Sequence, residues 1–294
     1  MVKIIAICNQ KGGTGKTTTA VNLSMAIASI GKKVLLVDID PQANATSGLG
    51  LDKNKIVHST YDVLIEETPI AEIIMSNLEG KMSILPSNFH LAGAEVELVS
   101  ILSREYRLKK ALEAIKPEFD FIFIDCPPSL GLLTINGLTA ASSVIIPVQC
   151  EYYALEGLTQ LLNTITLIRD NLNSALEIEG VLLTMADYRT NLTQEVITEV
   201  RSHFKEKAYQ TVIPRNIRLS EAPSFGKSIF TYDKDSIGAK KYWELACEIM
   251  GIDSNTQPID NNIVTNIETT KDNSGTKLSE QLLLQKQVDG EGII

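Results

Sequence analysis

A glycine-rich segment between an apolar run and a helical pattern restricts this chain to a small set of folds. Residues 9–18 read Asn-Gln-Lys-Gly-Gly-Thr-Gly-Lys-Thr-Thr, between apolar residues 4–8 and a periodic stretch over 17–30. These patterns predict a strand, a loop and a helix. A glycine-rich loop at the start of a helix directs several backbone N–H groups toward one point, where a phosphate is bound. The sequence therefore predicts a phosphate-binding loop.

The spacing within this loop predicts individual contacts. In the pattern G-x-x-x-x-G-K-[ST], Lys16 would contact the β- and γ-phosphates and the Thr17 hydroxyl would ligate Mg²⁺. Gln10 stands where the first glycine of the pattern is expected, and a second lysine, Lys11, follows it. A dinucleotide-binding loop is a poor match, because its third glycine is replaced by Thr18. The residues predicted to surround the phosphates are Lys11, Gly12, Gly13, Thr14, Gly15, Lys16, Thr17 and Thr18.

Short apolar runs alternate with helical patterns along most of the chain. This alternation predicts an α/β fold, doubly wound, with a mostly parallel sheet and helices on both faces. The further predicted strands are 34–37, 82–85, 121–124, 144–148, 178–184 and 210–213, and the further helices 104–115, 155–172, 192–204 and 237–250. Residues 51–80 are predicted to be helical in part, and Pro147 to interrupt its strand. After residue 251 the sequence becomes polar, so we expect one folded domain over 1–251 and a disordered tail over 252–294.

Two predicted strands end in aspartate. Asp38 and Asp40 follow the strand at 34–37, and Asp125 follows the strand at 121–124. In a doubly wound fold these strand ends lie beside the phosphate loop. Phosphoryl transfer needs a Mg²⁺ ion near the phosphates and a positioned water, and an aspartate here can serve either purpose. Asp40 and Asp125 are therefore predicted to bind metal together with Thr17, although aspartates also cap helices after strands.

The loop with its early lysine resembles the deviant Walker A motif of the ParA/MinD family of P-loop ATPases. Residues 34–44 resemble the switch I segment of ParA proteins, and residues 119–128 resemble a Walker B strand. The match covers about residues 2–250, and the resemblance to the chromosomal ParA/Soj branch is close. The resemblance implies that Lys11 crosses a dimer interface to the partner's nucleotide, and that Gly12 stays small for this approach.

The same resemblance assigns roles to further residues. It implies that Asp40 positions or activates the attacking water, so that Lys11, Lys16 and Asp40 are the catalytic candidates. Pro214 and Asn216 would lie against the adenine, where proline offers a flat apolar contact and asparagine can pair with the base edge. Without the resemblance, this segment would be interpreted as a capped loop.

The implied function is a slow, Mg²⁺-dependent ATPase with ATP as its nucleotide. An ATP-dependent homodimer would bind double-stranded DNA without sequence preference, and a ParB/Spo0J-type centromere-binding protein would stimulate hydrolysis and release. Such a cycle segregates chromosomes or plasmids. The resemblance thus implies a cytoplasmic, nucleoid-associated protein with no stable membrane association.

The charge distribution allows a DNA-binding surface. The net charge is −9, yet residues 201–241 carry nine Lys/Arg against four Asp/Glu. A basic region can bind a polyanion if its charges share a face, and is otherwise an ordinary solvated surface. The candidate DNA contacts are Arg189, Arg215, Arg218, Lys227 and Lys234. Arg215 and Arg218 could instead support the nucleotide loop.

Three alternative functions share the phosphate loop. A MinD-like, membrane-cycling regulator of division-site placement needs a basic amphipathic C-terminal helix, whereas this tail is acidic. An iron–sulfur ATPase needs two cluster cysteines per subunit, and of Cys8, Cys126, Cys150 and Cys247 only Cys126 follows a site aspartate. Without a C-x-x-C pair, these cysteines are predicted to be reduced core residues of a cytosolic protein. The third alternative is a DNA-bridging protein that holds ATP without hydrolysing it.

Overall fold

An eight-stranded sheet forms the centre of the protein, as seen in a computed structural model that describes residues 2–79, 81–151 and 158–255. The strand order is β3-β4-β2-β5-β1-β6-β7-β8. Neighbouring strands are parallel except for β3, which runs antiparallel to β4 at one edge. The strands are β1 (Lys3–Ile7), β2 (Val34–Asp38), β3 (Met75–Leu78), β4 (Met82–Leu85), β5 (Phe121–Asp125), β6 (Ser143–Gln149), β7 (Glu177–Ala186) and β8 (Ala208–Pro214).

Helices cover both faces of this sheet. On one face α1 and α11 pack against alternate strand residues such as Ile5 and Ile7, and on the other face α4 to α8 pack against residues such as Ala6. The helices are α1 (Lys16–Ser29), α2 (Asn44–Gly48), α3 (Ile70–Ile73), α4 (Leu91–Glu97), α5 (Arg107–Glu113), α6 (Leu132–Ala140), α7 (Leu158–Asn171), α8 (Asn191–Phe204), α9 (Ile217–Glu221), α10 (Ile229–Tyr232) and α11 (Ile237–Met250). The predicted doubly wound α/β fold is confirmed. Among the described residues, no helix combines the length and apolar character needed to cross a membrane.

The register of the central strands aligns their carboxyl ends. Asp125 is the register partner of Ile7 on one side and of Asp38 on the other. The loop that follows β1 therefore begins beside two aspartates that are far apart in sequence. This alignment follows from the parallel pairing of strands whose interior residues are continuously buried.

Pro147 does not interrupt β6, so this detail of the sequence prediction is wrong. The pairing of β6 with β1 ends at Ile145, whose carbonyl accepts the Cys8 N–H. The next residue on that side is Pro147, and its carbonyl accepts a hydrogen bond from the Asn9 side chain at 2.6 Å. Because β1 has already ended, the missing proline N–H deprives the sheet of no partner.

Several short elements were missed by the sequence prediction or predicted only in outline. Residues 51–80 contain a π-helical turn over Asp62–Glu66, the short helix α3 and the edge strand β3. Helices α2, α9 and α10 have only four or five residues, too few to produce a helical period in the sequence. Helices α4 and α6 were also missed. The first residues of the predicted helix at 155–172 lie outside the described residues. Most of the predicted tail, from residue 256 onward, also lies outside them.

Candidate functional site

The glycine-rich loop has the backbone shape of an anion cradle. Gly13 and Gly15 have φ values of +74° and +85°, in the left-handed region that favours glycine. Helix α1 starts directly after Gly15, with no side-chain cap and no acidic residue in its first turn. Its first N–H groups and the positive end of its dipole are therefore open to an anion. The geometry suits the phosphates of a nucleotide.

Lys16 carries the positive charge of this cradle. Its side chain is buried, and Nζ donates a hydrogen bond to the Lys11 carbonyl at 3.0 Å across the loop. Burial lowers the pKa of Lys16, while the nearby carboxylates of Asp125 and Asp40 act in the opposite direction. The ammonium group thus faces two carboxylates from the neighbouring strand ends.

Asp38 is fully engaged in holding the switch segment. Its Oδ2 accepts hydrogen bonds from the Thr46 N–H at 2.9 Å and the Thr46 hydroxyl at 2.7 Å, and its Oδ1 accepts from the Asp40 N–H at 3.1 Å. Complete burial raises the pKa of Asp38 to about 6, although these hydrogen bonds lower it. Both carboxylate oxygens of Asp38 thus accept hydrogen bonds from the segment around Asp40 and hold it in place.

Asp125 is the least satisfied group of the site. It is completely buried, and neither carboxylate oxygen accepts a hydrogen bond of ordinary geometry from any described residue. Burial first, and then the charge of Asp38, raise the pKa of Asp125 well above its usual value, whereas the adjacent Thr17 hydroxyl lowers it less. A buried carboxylate without partners fits a cation, held directly or through water.

The donor set around Asp125 fits Mg²⁺ better than a transition metal. Within the described ranges, no three His, Cys, Asp or Glu side chains cluster as a metal centre. Magnesium is usually held by one or two protein oxygens together with substrate phosphates and water. Asp125 and the Thr17 hydroxyl, with Asp40 nearby, could supply that share.

Asp40 lies at the same edge with its main chain fixed. The Ser87 hydroxyl donates to the Asp40 carbonyl at 2.8 Å, and Asp40 Oδ1 accepts the Gln42 N–H at 2.9 Å. Its side chain is almost completely buried. One carboxylate oxygen is thus held in a local turn, and the other lacks any such bond among the described residues.

A cavity of about 350 Å³ adjoins the phosphate loop. It is lined by Gly15 and Thr18 of the loop and by Pro214 and Asn216, the two residues predicted to contact a base. The Asn216 side-chain oxygen accepts the Leu219 N–H at 3.3 Å and so caps α9. Its amide nitrogen remains for a ligand, so the capping and base-contact interpretations are compatible.

Sequence reasoning missed the β7 wall of this cavity. The Thr184 hydroxyl donates to the Thr14 carbonyl at 2.9 Å, and its methyl group lies against Gly15. Met185 follows with a φ of +53°, an uncommon backbone conformation for a residue with a side chain. The sequence shows Thr184 after an apolar run, as it shows Asp38, but it does not indicate that Thr14 is its partner.

Lys11 lies on the exposed rim of the loop. Its Nζ is 3.5 Å from Glu151 Oε2, and Arg215 Nη2 is 3.8 Å from Glu151 Oε1. All three side chains are about half exposed. Such exposed ion pairs contribute only about 0–1 kcal/mol to stability. Lys11 can therefore leave Glu151 and pair with another anion. Nothing in the sequence pattern pointed to Glu151.

The candidate DNA contacts fall into two groups. Arg189 is paired with Asp187 through Nη2 at 2.6 Å, and Arg218 is paired with both Glu221 at 2.9 Å and Asp233 at 3.4 Å. Hydrogen bonds from Arg189, with a smaller contribution from the charge of Arg215, lower the pKa of Asp187 to about 2. Lys227 and Lys234 are exposed, and neither takes part in an ion pair found among the described residues.

Cys126 is placed poorly for an iron–sulfur cluster. Its side chain is completely buried, and a contact with Cys8, followed by burial, raises the pKa of its thiol. A cluster ligand must be a thiolate. The other described cysteines are also free and buried.

Replacing Asp125 with asparagine is expected to stabilise the metal-free protein more at high pH than at low pH. A folded-state pKa above the unfolded value means that the stability contributed by the protonated carboxyl is lost as pH rises through the folded pKa. Asparagine keeps the shape without that loss. We expect the free energy of unfolding at pH 8 to increase by an amount on the order of 1 kcal/mol, as measured by thermal unfolding in the presence of EDTA.

The matched control is Asp120→Asn, since Asp120 lies exposed just before the other end of the same strand. It should leave the pH profile of thermal unfolding unchanged. If the Asp125→Asn variant and the unchanged protein had identical pH profiles of thermal unfolding, the proposed cost of burying the charged Asp125 carboxylate would be contradicted.

A family model and the most similar known proteins point to the same protein family. A family model described as an AAA domain matches residues 2–178. The sporulation initiation inhibitor protein Soj of Bacillus subtilis is 61% identical over 249 residues, which cover 85% of this chain and 98% of that protein. The chromosome partitioning protein ParA of Myxococcus xanthus is 51% identical, with 87% of this chain and 90% of that protein covered.

The fold also matches solved structures. A cobyrinic acid a,c-diamide synthase from Mycobacterium smegmatis, with bound ADP and magnesium, aligns with a TM-score of 0.74 and 39% identity. The alignment covers 84% of this chain and 93% of the other.

Proposed function

Because this chain belongs to the ParA/Soj family of chromosome-partitioning P-loop ATPases, we propose that it is a Mg²⁺-dependent ATPase whose nucleotide state controls dimerisation and DNA binding. The observation that carries the proposal is the buried Asp125 carboxylate, which accepts no hydrogen bond of ordinary geometry from the described part of the chain and lies near Lys16 at an uncapped helix N-terminus. This set of groups would be costly to bury unless a metal–phosphate ligand completed it. The relatedness to Soj and ParA proteins supports the same conclusion.

The proposed division of labour among the residues follows their geometry. The loop from Gly12 to Thr18 and the Lys16 ammonium bind the phosphates of ATP, and the cavity beside Pro214 and Asn216 holds the base. Bound Mg²⁺ would neutralise charge that develops on the phosphates. Thr17 and Asp125 would hold that ion, and the second carboxylate oxygen of Asp40 would orient the attacking water.

Lys11 gives the proposed enzyme its dependence on a second subunit. It is exposed on the rim of the loop, and its ion pair with Glu151 is weak enough to exchange. We propose that in an ATP-bound homodimer Lys11 reaches the partner's nucleotide, and that Gly12 permits the close approach. The space next to Gly12 supports this, since a Cβ built there would meet no atom within 4 Å in the single chain.

The dimer is proposed to bind double-stranded DNA without sequence preference and to associate with the nucleoid. Dimerisation would join two local basic regions into one track, which explains how an acidic chain can hold a polyanion. A ParB/Spo0J-type protein would stimulate hydrolysis and thereby release the dimer from DNA. Partitioning of a chromosome or plasmid would follow from repeated cycles.

The test is DNA binding by the full chain with ATP, with ADP and without nucleotide, alongside phosphate release. We expect binding with ATP alone, and weaker binding as salt increases. Equal binding in all three nucleotide states would contradict the proposal. Sedimentation with liposomes in place of DNA would favour the membrane-cycling alternative, and DNA binding without any phosphate release would favour a bridging protein.

Replacing Arg218 with glutamate should weaken ATP-dependent DNA binding about tenfold and reduce its salt dependence. Arg218 is half exposed beyond its contacts with Glu221 and Asp233, so it can turn toward a phosphate. Filter binding at several salt concentrations measures both effects. Arg169→Glu is the matched control, because Arg169 is an equally exposed arginine beside Asp170 on α7. An ATP dimer of the Arg218 variant that binds DNA normally at every salt concentration would remove Arg218 from the DNA surface.

A further inference from the structure

A second cleft, of about 280 Å³, lies beside the nucleotide loop. Helix α2 forms one side of this cleft with Asn44 and Ser47. The opposite side is formed by Pro223, which also lines the base cavity, and by Lys227. Most of the remaining lining belongs to the start of α1. The chain that follows Asp40 thus faces the chain between α9 and α10 across this cleft.

The polar groups of the cleft suit an anion. Lys227 is exposed and forms no ion pair with the described part of the chain, and Asn44 is exposed opposite it. Among the described residues, no Asp or Glu lines the cleft. Glu79 lies close to the next residue, Ser228, and its carboxylate accepts the Ser228 N–H at 2.6 Å and the Ser228 hydroxyl. A cation would lack carboxylate ligands in the cleft, whereas a phosphate can accept hydrogen bonds from an ammonium and an amide.

Two glycines hold the sides of the cleft together. Gly50, just after α2, and Gly226, just before Lys227, have φ values of +83° and +63°, in the left-handed region that favours glycine. A Cβ built on Gly226 would lie 2.5 Å from Gly50 Cα, and a Cβ built on Gly50 would lie 3.0 Å from the Gly226 carbonyl oxygen. The two backbones are therefore in direct contact, with no side chain between them to absorb a movement.

The α2 side of this contact is bonded to a site aspartate. Asp38 Oδ2 accepts both the N–H and the hydroxyl of Thr46, within α2. The Gly50 N–H donates to the Ser47 carbonyl at 3.0 Å, so Gly50 continues the last turn of the same short helix. A displacement of the chain at Asp38 would therefore be carried through α2 to Gly50, and from there to Gly226.

We infer that this cleft holds a phosphate of the DNA backbone, and that the Gly50–Gly226 contact makes its hold depend on the bound nucleotide. The inference rests on the proposed function, to which it adds a phosphate site and the route by which ATP controls that site. Lys227 and Asn44 donate to the phosphate oxygens. Gly50 and Gly226 are positioning residues, because they set the distance between the two donors without touching the ligand.

The site is tested with the full chain carrying Lys227→Gln and a DNA duplex as probe. We expect ATP-dependent DNA binding to weaken about three- to tenfold, and the slope of log affinity against log salt to fall by about one. Lys33→Gln is the matched control, because Lys33 is an exposed lysine before the other end of β2. An unchanged salt slope would overturn the inference. A lower affinity for ATP in the absence of DNA would also overturn it, since the cleft would then belong to the nucleotide site.

The control by nucleotide is tested with Gly226→Ala. Gly251→Ala is its matched control, because Gly251 also has a φ of +63° but a Cβ there would meet no atom within 4 Å. The measured quantity is the ratio of DNA affinity with ATP to that with ADP, at low salt, where weak binding is measurable. We expect this ratio to fall at least about fivefold in Gly226→Ala and to stay unchanged in Gly251→Ala.

Two outcomes of this second test would overturn the inference while leaving the proposed function intact. One is an equal weakening of DNA binding in both nucleotide states, which would make Gly226 a purely structural residue. The other is loss of the ATP-dependent dimer of Gly226→Ala in size-exclusion chromatography. Failure of the proposed function would instead be visible in the unchanged chain, as absence of ATP-dependent DNA binding.

A substitution at the other end of the route avoids the glycine backbone. Thr46→Val removes the hydroxyl that donates to Asp38 at 2.7 Å and keeps the Thr46 N–H and the side-chain volume. Thr46→Ser retains the hydroxyl and is the conservative control. We expect the ATP-to-ADP ratio of DNA affinity to fall in Thr46→Val and to be retained in Thr46→Ser. Equal ratios in the two variants would contradict the route through α2.

Discussion

Replacing Lys16 with alanine should abolish nucleotide binding, with affinity for ATP reduced at least about 100-fold. The Lys16 ammonium is buried at the centre of the loop and is held ready by the Lys11 carbonyl. Each hydrogen bond from an ammonium to a phosphate contributes about 1.5–3 kcal/mol. The loss of two such bonds therefore lowers the affinity for ATP by two or more factors of ten. Titration with a fluorescent ATP analogue, in the presence of magnesium, measures the change.

The fold should tolerate this substitution. Burial already lowers the pKa of Lys16, so removing the ammonium relieves a desolvation cost as well as leaving a small cavity. The control is Lys33→Ala, an exposed lysine immediately before β2, which should bind ATP normally. Retained affinity in a Lys16 variant with a normal melting curve would show that the loop does not hold a nucleotide in the proposed way.

The arrangement of the site was predictable to the extent that it depends on strand ends. Asp38 and Asp125 end continuously apolar strands, and parallel pairing brings such ends to one edge. The predicted residues of the phosphate loop, Asp40, Pro214 and Asn216 therefore all lie at that edge. Local pattern and sheet geometry together were sufficient, because each strand has one long buried segment followed by one polar residue.

The parts that could not be predicted depend on contacts distant in sequence. Glu151 is 140 positions from Lys11, and the Thr184 hydroxyl reaches Thr14 across 170 positions. The capping of α6 by Glu95 is likewise a tertiary contact, since α6 has no capping side chain of its own. Pro147 was misinterpreted because the sequence does not show where the neighbouring strand β1 ends. Local composition carries no information about such partners.

Asp40→Asn should trap the protein in its ATP-bound state, with nucleotide binding retained and hydrolysis lowered about 100-fold or more. The asparagine oxygen can still accept the Gln42 N–H, as Asp40 Oδ1 does at 2.9 Å. The local turn is therefore preserved, and only the charge and the second carboxylate oxygen are lost. Phosphate release measures turnover, and size-exclusion chromatography with ATP should show a persistent dimer.

The matched control for this variant is Asp52→Asn. Asp52 Oδ1 accepts the Asn54 N–H at 3.1 Å in the same kind of turn, but the side chain is exposed and its other oxygen pairs with Lys55 at 3.2 Å. It should hydrolyse ATP at the normal rate. Undiminished hydrolysis in the Asp40 variant would remove Asp40 from the chemistry, and the switch segment held by Asp38 would then have a purely conformational role. Loss of nucleotide binding together with hydrolysis would instead place Asp40 among the groups that hold Mg²⁺, because an ion shared with the phosphates contributes to both steps.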